Sequence, residues 1–111
     1  MAALSTSVIP LTGLRFDNLL VAAAVGGDDC ETGAGVQLIV KTTGTITTVT
    51  LATPETVDGD LQVDNRAVTT VATGETIIPV TNRYRSPSTG RCAITYSTVT
   101  GVTVGVVRVS A

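Results

Sequence analysis

The sequence predicts an all-β fold: a single small β-sandwich or jelly-roll-like barrel of about seven antiparallel strands, with an extended N-terminal arm. Thr and Val together make up about a third of the 111 residues, and β-branched side chains favour extended strands. Short alternating segments are separated by turn residues every 8–12 positions or so, which is the spacing of a sandwich or barrel. No segment has the length and periodicity of an amphipathic helix.

The N-terminal residues 1–13 form the predicted arm or, alternatively, an edge strand, and residues 14–111 form the sandwich or barrel domain. Pro10 ends the first β-prone segment, because proline donates no backbone hydrogen bond to a sheet. Such a segment can add a strand to a neighbour's sheet edge and so make a subunit or partner contact; the alternative is an ordinary edge strand or a frayed end. Its uncharged residues are Ser5, Thr6, Ser7, Val8 and Ile9.

Residues 14–35 precede the regular part of the predicted sheets. Residues 14–25 fit more than one structure, and a helical turn in their Ala-rich second half, ended by Gly26 and Gly27, is one of them. Residues 26–35 are predicted to form a glycine-rich acidic loop.

The remaining strands are predicted from apolar alternation between turns. Residues 36–42 and 45–53 flank the turn Thr43-Gly44 and are predicted to form a hairpin. Pro79 favours an edge position for the strand that contains it, and residues 81–90 form a polar loop. The other predicted strands or short extended pieces are residues 61–64, 66–72, 76–80, 91–98 and 102–109.

Composition argues against several function classes. The chain has no His, which removes Ser–His–Asp and Cys–His catalysis and most zinc sites. A net charge of −2 gives no basic footprint for nucleic acid or for a polybasic membrane contact. The apolar run 19–25 is too short to span a bilayer, and the N-terminus fits a secretory signal poorly. We therefore expect no enzyme and no cofactor.

Two acidic stretches are candidate calcium ligands. Neither has the D-x-[DN]-x-[DN]-G spacing of a calcium loop, and aspartate is common in turns. We predict solvated turns and no metal site. The residues concerned are Asp28, Asp29 and Glu31 in the first stretch and Asp58, Asp60 and Asp64 in the second.

The two cysteines are candidates for a disulfide that ties the acidic loop to the sheet. Cys30 lies in that loop and Cys92 lies early in a late strand. The alternative is two unrelated thiols, as expected in a protein made in a reducing cytosol. Sequence spacing leaves both open, because a disulfide depends on geometry.

Arg83, Tyr84 and Arg85, together with Arg66 and Arg91, are the main concentration of basic residues. Arg and Tyr are enriched at interface hot spots. This segment is therefore a candidate contact with another subunit or a partner, and the alternative is a solvated loop.

A series of short segments occurs in a distinctive order along the chain. They are GVQLIVK (35–41), TITTVTLAT (45–53) followed by Pro54, VDG (57–59), RAVT (66–69), GE (74–75), AITYS (93–97) and VTGVTVGVVRV (99–109). In this order and spacing, residues 27–109 resemble the head decoration, or cement, proteins of tailed bacteriophages. Cys30, Cys92 and the length of the chain around residues 80–90 depart from that pattern.

The resemblance implies a structural function. It implies binding to the outer surface of the lattice formed by the major capsid protein of the same virus. It further implies a homotrimer at local three-fold positions, which stabilises the head against the pressure of packaged DNA. The protein would be made in the host cytoplasm and end on the virion. Two alternatives stay open: another virion module (tail, collar or fibre), and a carbohydrate- or calcium-binding module.

Overall fold

The computed structural model describes residues 2–15, 18–54 and 56–109, and within them the chain is all-β. One short 3-10 helix at Asn82–Tyr84 interrupts the strands, and no described helix is long and apolar enough to cross a membrane. Twelve strands occur in these ranges: β1 (Ala2–Ala3), β2 (Thr6–Ile9), β3 (Val21–Ala22), β4 (Asp28–Cys30), β5 (Val36–Thr42), β6 (Thr48–Leu51), β7 (Thr56–Val57), β8 (Leu61–Gln62), β9 (Arg66–Thr69), β10 (Gly74–Pro79), β11 (Cys92–Tyr96) and β12 (Val102–Val109).

The strands form two main sheets packed on one another, with β7 and β8 as a separate pair. Sheet A has the order β1-β4-β11-β6-β9, and sheet B has the order β10-β5-β12-β2, with β3 also paired to β12. The predicted all-β, sandwich-like fold is confirmed. The described strands outnumber the predicted seven, because several have only two or three residues and carry no apolar alternation.

Alternate residues of the two sheets fill the core between them. Inward-facing side chains of β5 and β12 meet those of β6 and β11. Because successive side chains of a strand point to opposite faces, these core residues occur at every second position in the sequence. The fully or nearly fully buried members include Val36, Leu38 and Val40 of β5, Val102, Val104 and Val106 of β12, and Val49, Leu51 and Ile94 of sheet A.

The predicted hairpin of residues 36–42 and 45–53 is wrong. Strand β5 pairs with β10 and β12 in sheet B, whereas β6 pairs with β11 and β9 in sheet A. The segment between them crosses from one sheet to the other. Its backbone bonds to other loops, since the Thr43 amide donates to the Gly101 carbonyl (2.9 Å) and the Thr45 amide donates to the Ala72 carbonyl (2.8 Å).

The N-terminal segment is an edge strand of both sheets, and an extended arm is not observed. Strand β1 runs parallel to β4, and β2 runs parallel to β12, so these two pairings also differ from the predicted antiparallel arrangement. Between the two strands, Leu4 is buried in the core and its amide donates to the Asp29 carbonyl (2.8 Å). Burial of Leu4 holds the segment to its own chain.

The segment predicted as a helical turn and acidic loop contains two strands instead. Val21–Ala22 pairs with β12, and Asp28–Cys30 lies between β1 and β11 inside sheet A. Gly27, the residue before β4, adopts φ +102°, and a side chain there would overlap the carbonyl oxygen of Ile94 in β11. Glycine therefore allows the backbone to come close to β11. The edge position predicted from Pro79 is confirmed, because β10 ends sheet B.

Candidate functional site

A row of apolar side chains crosses the outer face of sheet B. Ile39 and Val107 belong to central strands and are about 95% buried although they point away from the core, whereas Ile77 of the edge strand is 59% exposed. A groove of about 200 Å³ runs along this row. It is lined by Ile9, Leu14, Gln37, Ile39, Glu75, Ile77 and Val107.

Strand β10 presents an open edge beside this row. The Val80 amide donates to the Val36 carbonyl (2.9 Å). Every second residue of β10 counted back from Val80, beginning with Ile78, therefore bonds to β5 through its backbone. Because successive residues alternate, the backbone amide and carbonyl groups of Glu75 and Ile77 face away from β5. No described strand pairs with that side of β10. The nitrogen of Pro79 also faces it, where the missing N–H costs no ladder bond.

The open edge continues into a second groove, of about 280 Å³, between β10 and the 3-10 helix. Its lining includes Arg66, Val68, Ile77, Pro79 and Tyr84, and we call these five residues the edge surface. Arg66 Nε donates to the Tyr84 hydroxyl (3.3 Å), while the Tyr84 ring packs against the core. The edge surface therefore joins an apolar centre to an Arg–Tyr rim, an arrangement common in protein interfaces.

The structure divides the predicted basic group. Arg66, Arg83 and Tyr84 line one groove of about 560 Å³, and Arg85 is exposed and forms a β-bridge with Cys92. Arg91 instead lies at the β1–β4 end of sheet A. Its Nε forms an ion pair with Asp29 (2.6 Å), and its terminal nitrogen donates to the carbonyl of Leu4 (2.9 Å). Arg91 thus holds β1, β4 and β11 together.

The predicted N-terminal contact residues lie on two faces. Ser7 and Ile9 are in register with Val107 and Val109 and so share the outer face of sheet B. Thr6 and Val8 point to the opposite face, and Ser5 is exposed in the link between β1 and β2. Ile9 is the member of this group that lines the apolar groove.

A buried polar cluster lies inside sheet A, where the sequence predicted a solvated turn. Asp28 has no solvent exposure. Its Oδ2 accepts hydrogen bonds from the Tyr96 hydroxyl (2.7 Å) and the Ala24 amide (3.3 Å). Its Oδ1 has no hydrogen-bond partner among the described residues. Burial, and then the hydrogen bond to Asp28, raises the pKa of Tyr96 above its usual value.

The acidic residues do not converge. The prediction of a solvated turn is wrong for Asp28, which is buried, and for Asp29, which lies in β4 paired with Arg91. Asp58 and Asp60 do occupy an exposed turn between β7 and β8, where Asp58 adopts φ +54°. In the described ranges, no group of three or more Cys, Asp or Glu side chains is placed to hold a metal ion.

Cys30 and Cys92 are brought together although they are far apart in the sequence. They are directly opposite one another in the β4–β11 pairing, and both are fully buried with free thiols. The strand register therefore agrees with the candidate pairing of the two cysteines, which sequence spacing left open. No sequence pattern predicts the Asp28–Tyr96 bond, because β4 shows no apolar alternation that would place it in a sheet.

Comparison with protein families, with curated proteins and with solved structures found no match to this chain.

Proposed function

We propose that this chain is a capsid decoration protein of a tailed bacteriophage, which binds the outer surface of the major capsid protein lattice as a homotrimer. The observation that carries the proposal is the apolar outer face of sheet B, which continues through the open edge of β10 into the edge surface. The resemblance of residues 27–109 to head decoration proteins supplies the partner.

The composition of the chain supports adhesion to an extended lattice. Charged residues are only 14% of the sequence, well below the average of about 25% for soluble domains. An apolar patch rimmed by polar residues is typical of a protein-binding site. Binding here depends on apolar contact and on backbone hydrogen bonds to an added strand rather than on charge steering.

The proposed activity is mechanical stabilisation of the head. Each bound copy bridges neighbouring capsid subunits, so internal pressure must break the added contacts before the subunits separate. Individual contacts need only modest affinity, because symmetry and the linked subunits of a trimer multiply them. Preferential binding to the expanded shell stabilises that form by mass action.

Co-sedimentation with phage heads that lack the protein tests this function. The heads come from the phage that encodes the chain, with its gene deleted, and purified protein is added at increasing concentration. We expect saturable binding at a fixed ratio to the major capsid protein, and decorated heads that resist heating better than bare heads. Protein that stays in the supernatant at every concentration would overturn the proposal.

A pair of variants locates the contact. Ile77→Asp places a charge at the centre of the apolar face and should reduce co-sedimentation at least tenfold. Leu61→Asp is the matched control, because Leu61 is 57% exposed, as Ile77 is 59% exposed, but lies on the separate β7–β8 pair. Urea unfolding verifies that both variants fold. Equal binding of the two variants would show that the outer face of sheet B is not the contact.

The oligomeric state is measured separately. Analytical ultracentrifugation of the free protein and counting of copies on decorated heads should both give trimers. A monomer in solution that also binds as isolated copies would contradict the trimer and leave the lattice contact to be judged by co-sedimentation.

A further inference from the structure

Cys30 and Cys92 form a pair of thiols across two neighbouring strands. Cys30 is the last residue of β4 and Cys92 is the first of β11, and the antiparallel register places them directly opposite one another. Both side chains are fully buried. Residues opposite one another in a sheet point to the same face, so both sulfurs lie on the core side of sheet A.

The distances of such a pair suit a disulfide. Opposite Cα atoms of antiparallel strands are about 4.5–5.5 Å apart, and disulfides join Cα atoms about 4.4–6.8 Å apart. Both thiols are free and lie opposite one another in this register.

The two thiols differ in acidity. The neighbouring Cys92 thiol, followed by burial, raises the pKa of Cys30, while the neighbouring Cys30 thiol lowers the pKa of Cys92. Cys92 is therefore the thiol that ionises more easily and attacks first.

We propose that Cys30 and Cys92 form a reversible disulfide within one chain, with a small disulfide such as oxidised glutathione as the oxidant. The Cys92 thiolate attacks a sulfur of the oxidant, forming a mixed disulfide and releasing one glutathione thiolate. Cys30, losing its proton to solvent, then attacks the Cys92 sulfur and releases the second glutathione. Two thiols are oxidised, and one glutathione disulfide is reduced to two glutathione molecules.

The bond would close a long loop and fasten a short strand of sheet A. Strand β4 has three residues and pairs with β11 over those three, and it carries β1 on its other side. Linking distant residues restricts the unfolded chain. This proposal is independent of the proposed function, since it concerns the fold alone.

Refolding in glutathione buffers tests the proposal. The full reduced chain is unfolded in urea and diluted into native buffer at set ratios of reduced to oxidised glutathione, while parallel samples stay in urea at the same ratios. Starting from urea gives the oxidant access to thiols that the fold buries. Samples are quenched with acid, and the intact mass is measured.

We expect the folded protein to be oxidised at least ten times more readily than the urea-unfolded chain, with the mass loss of two hydrogen atoms and no dimer. By linkage, the oxidised protein should melt higher than the reduced protein, by roughly 10 °C. Equal or weaker oxidation in the folded state would overturn the proposal, as would a persistent glutathione adduct.

The variant Cys92→Ser is the control. It retains Cys30 and cannot form the bond, so the same treatment should leave its melting temperature unchanged. An equal rise in this variant would show that the rise has another cause and would count against the disulfide.

Discussion

The Asp28 carboxylate lies on the inner face of β4, where water cannot reach it. One oxygen accepts the Tyr96 hydroxyl and the Ala24 amide, and the other has no partner among the described residues. A buried carboxylate is unfavourable unless hydrogen bonds replace its hydration. The Tyr96 hydroxyl is thus a main determinant of whether β4 can lie inside the sheet.

Replacing Tyr96 with Phe removes that donor and leaves the ring. We expect Tyr96→Phe to lower the free energy of unfolding by about 1.5–3 kcal/mol, as for other hydrogen bonds to charged groups. Urea unfolding measures the change. Tyr84→Phe is the control, because its hydroxyl accepts only a 3.3 Å hydrogen bond from the exposed Arg66; it should change stability by less than about 0.5 kcal/mol.

Alkaline pH tests the same residue. In the unfolded chain Tyr96 ionises near its ordinary pKa of 10.0, whereas burial and Asp28 raise its pKa in the fold. Its contribution is therefore complete below pH 10 and falls as the pH rises further, by up to about 1.4 kcal/mol per unit. We expect urea midpoints to fall as the pH rises above 10, and to fall less in Tyr96→Phe. Parallel curves for the two proteins would contradict this.

Among the elements, β6 shows how threonine hydroxyls extend a sheet beyond its backbone ladder. Just before β6, the buried Thr47 hydroxyl donates to the Thr98 carbonyl (2.9 Å), and the Thr98 amide donates back to it (3.3 Å). On the other side, the Thr47 amide donates to the Thr70 hydroxyl (3.1 Å), which donates to the Thr47 carbonyl (3.2 Å). Some threonines therefore serve to hydrogen-bond backbone groups at the ends of strands, and β propensity alone does not explain their number.

Thr47→Val keeps the shape of the side chain and removes its hydroxyl. We expect a loss of about 1–3 kcal/mol, because the Thr98 amide and carbonyl lose their partner in a buried site. Thr69→Val is the matched control. Its hydroxyl pairs with Thr48 at the exposed surface (3.2 Å), so the change should stay within about 0.5 kcal/mol. Chemical denaturation compares the two, and similar values would refute the assigned role of Thr47.

For the whole molecule, stability depends on the single core between the sheets. Leu38 is fully buried there, while Leu11 is fully exposed in the loop after β2. We expect Leu38→Ala to cost about 2–5 kcal/mol through lost burial and a cavity, and Leu11→Ala to cost almost nothing. Thermal and urea unfolding measure both. A small effect at Leu38 would mean that the two sheets do not share a close-packed core.

The sequence predicted the strands whose signal is local. The bounds of β5 and β12 agree with the predicted residues 36–42 and 102–109, because inward-facing apolar residues recur at every second position along both. Pro79 identified an edge strand, since its missing N–H is a property of one residue. Of the residues that line the apolar groove and the edge surface, sequence reasoning offers Ile9, Arg66 and Tyr84 as contact candidates. It does not offer Ile77, because an isoleucine in a strand pattern gives no local sign of whether it is exposed or in the core.

By itself the sequence determined the fold class, the period-two core pattern and the absence of histidine chemistry, because these follow from residue type and short-range alternation. Only the tertiary structure decided that β5 and β6 belong to different sheets, that β4 lies inside sheet A and that Cys30 faces Cys92. The physical reason is that strand pairing joins residues far apart along the chain. Its partners are selected by burial and hydrogen bonding across the whole molecule, which no local pattern encodes.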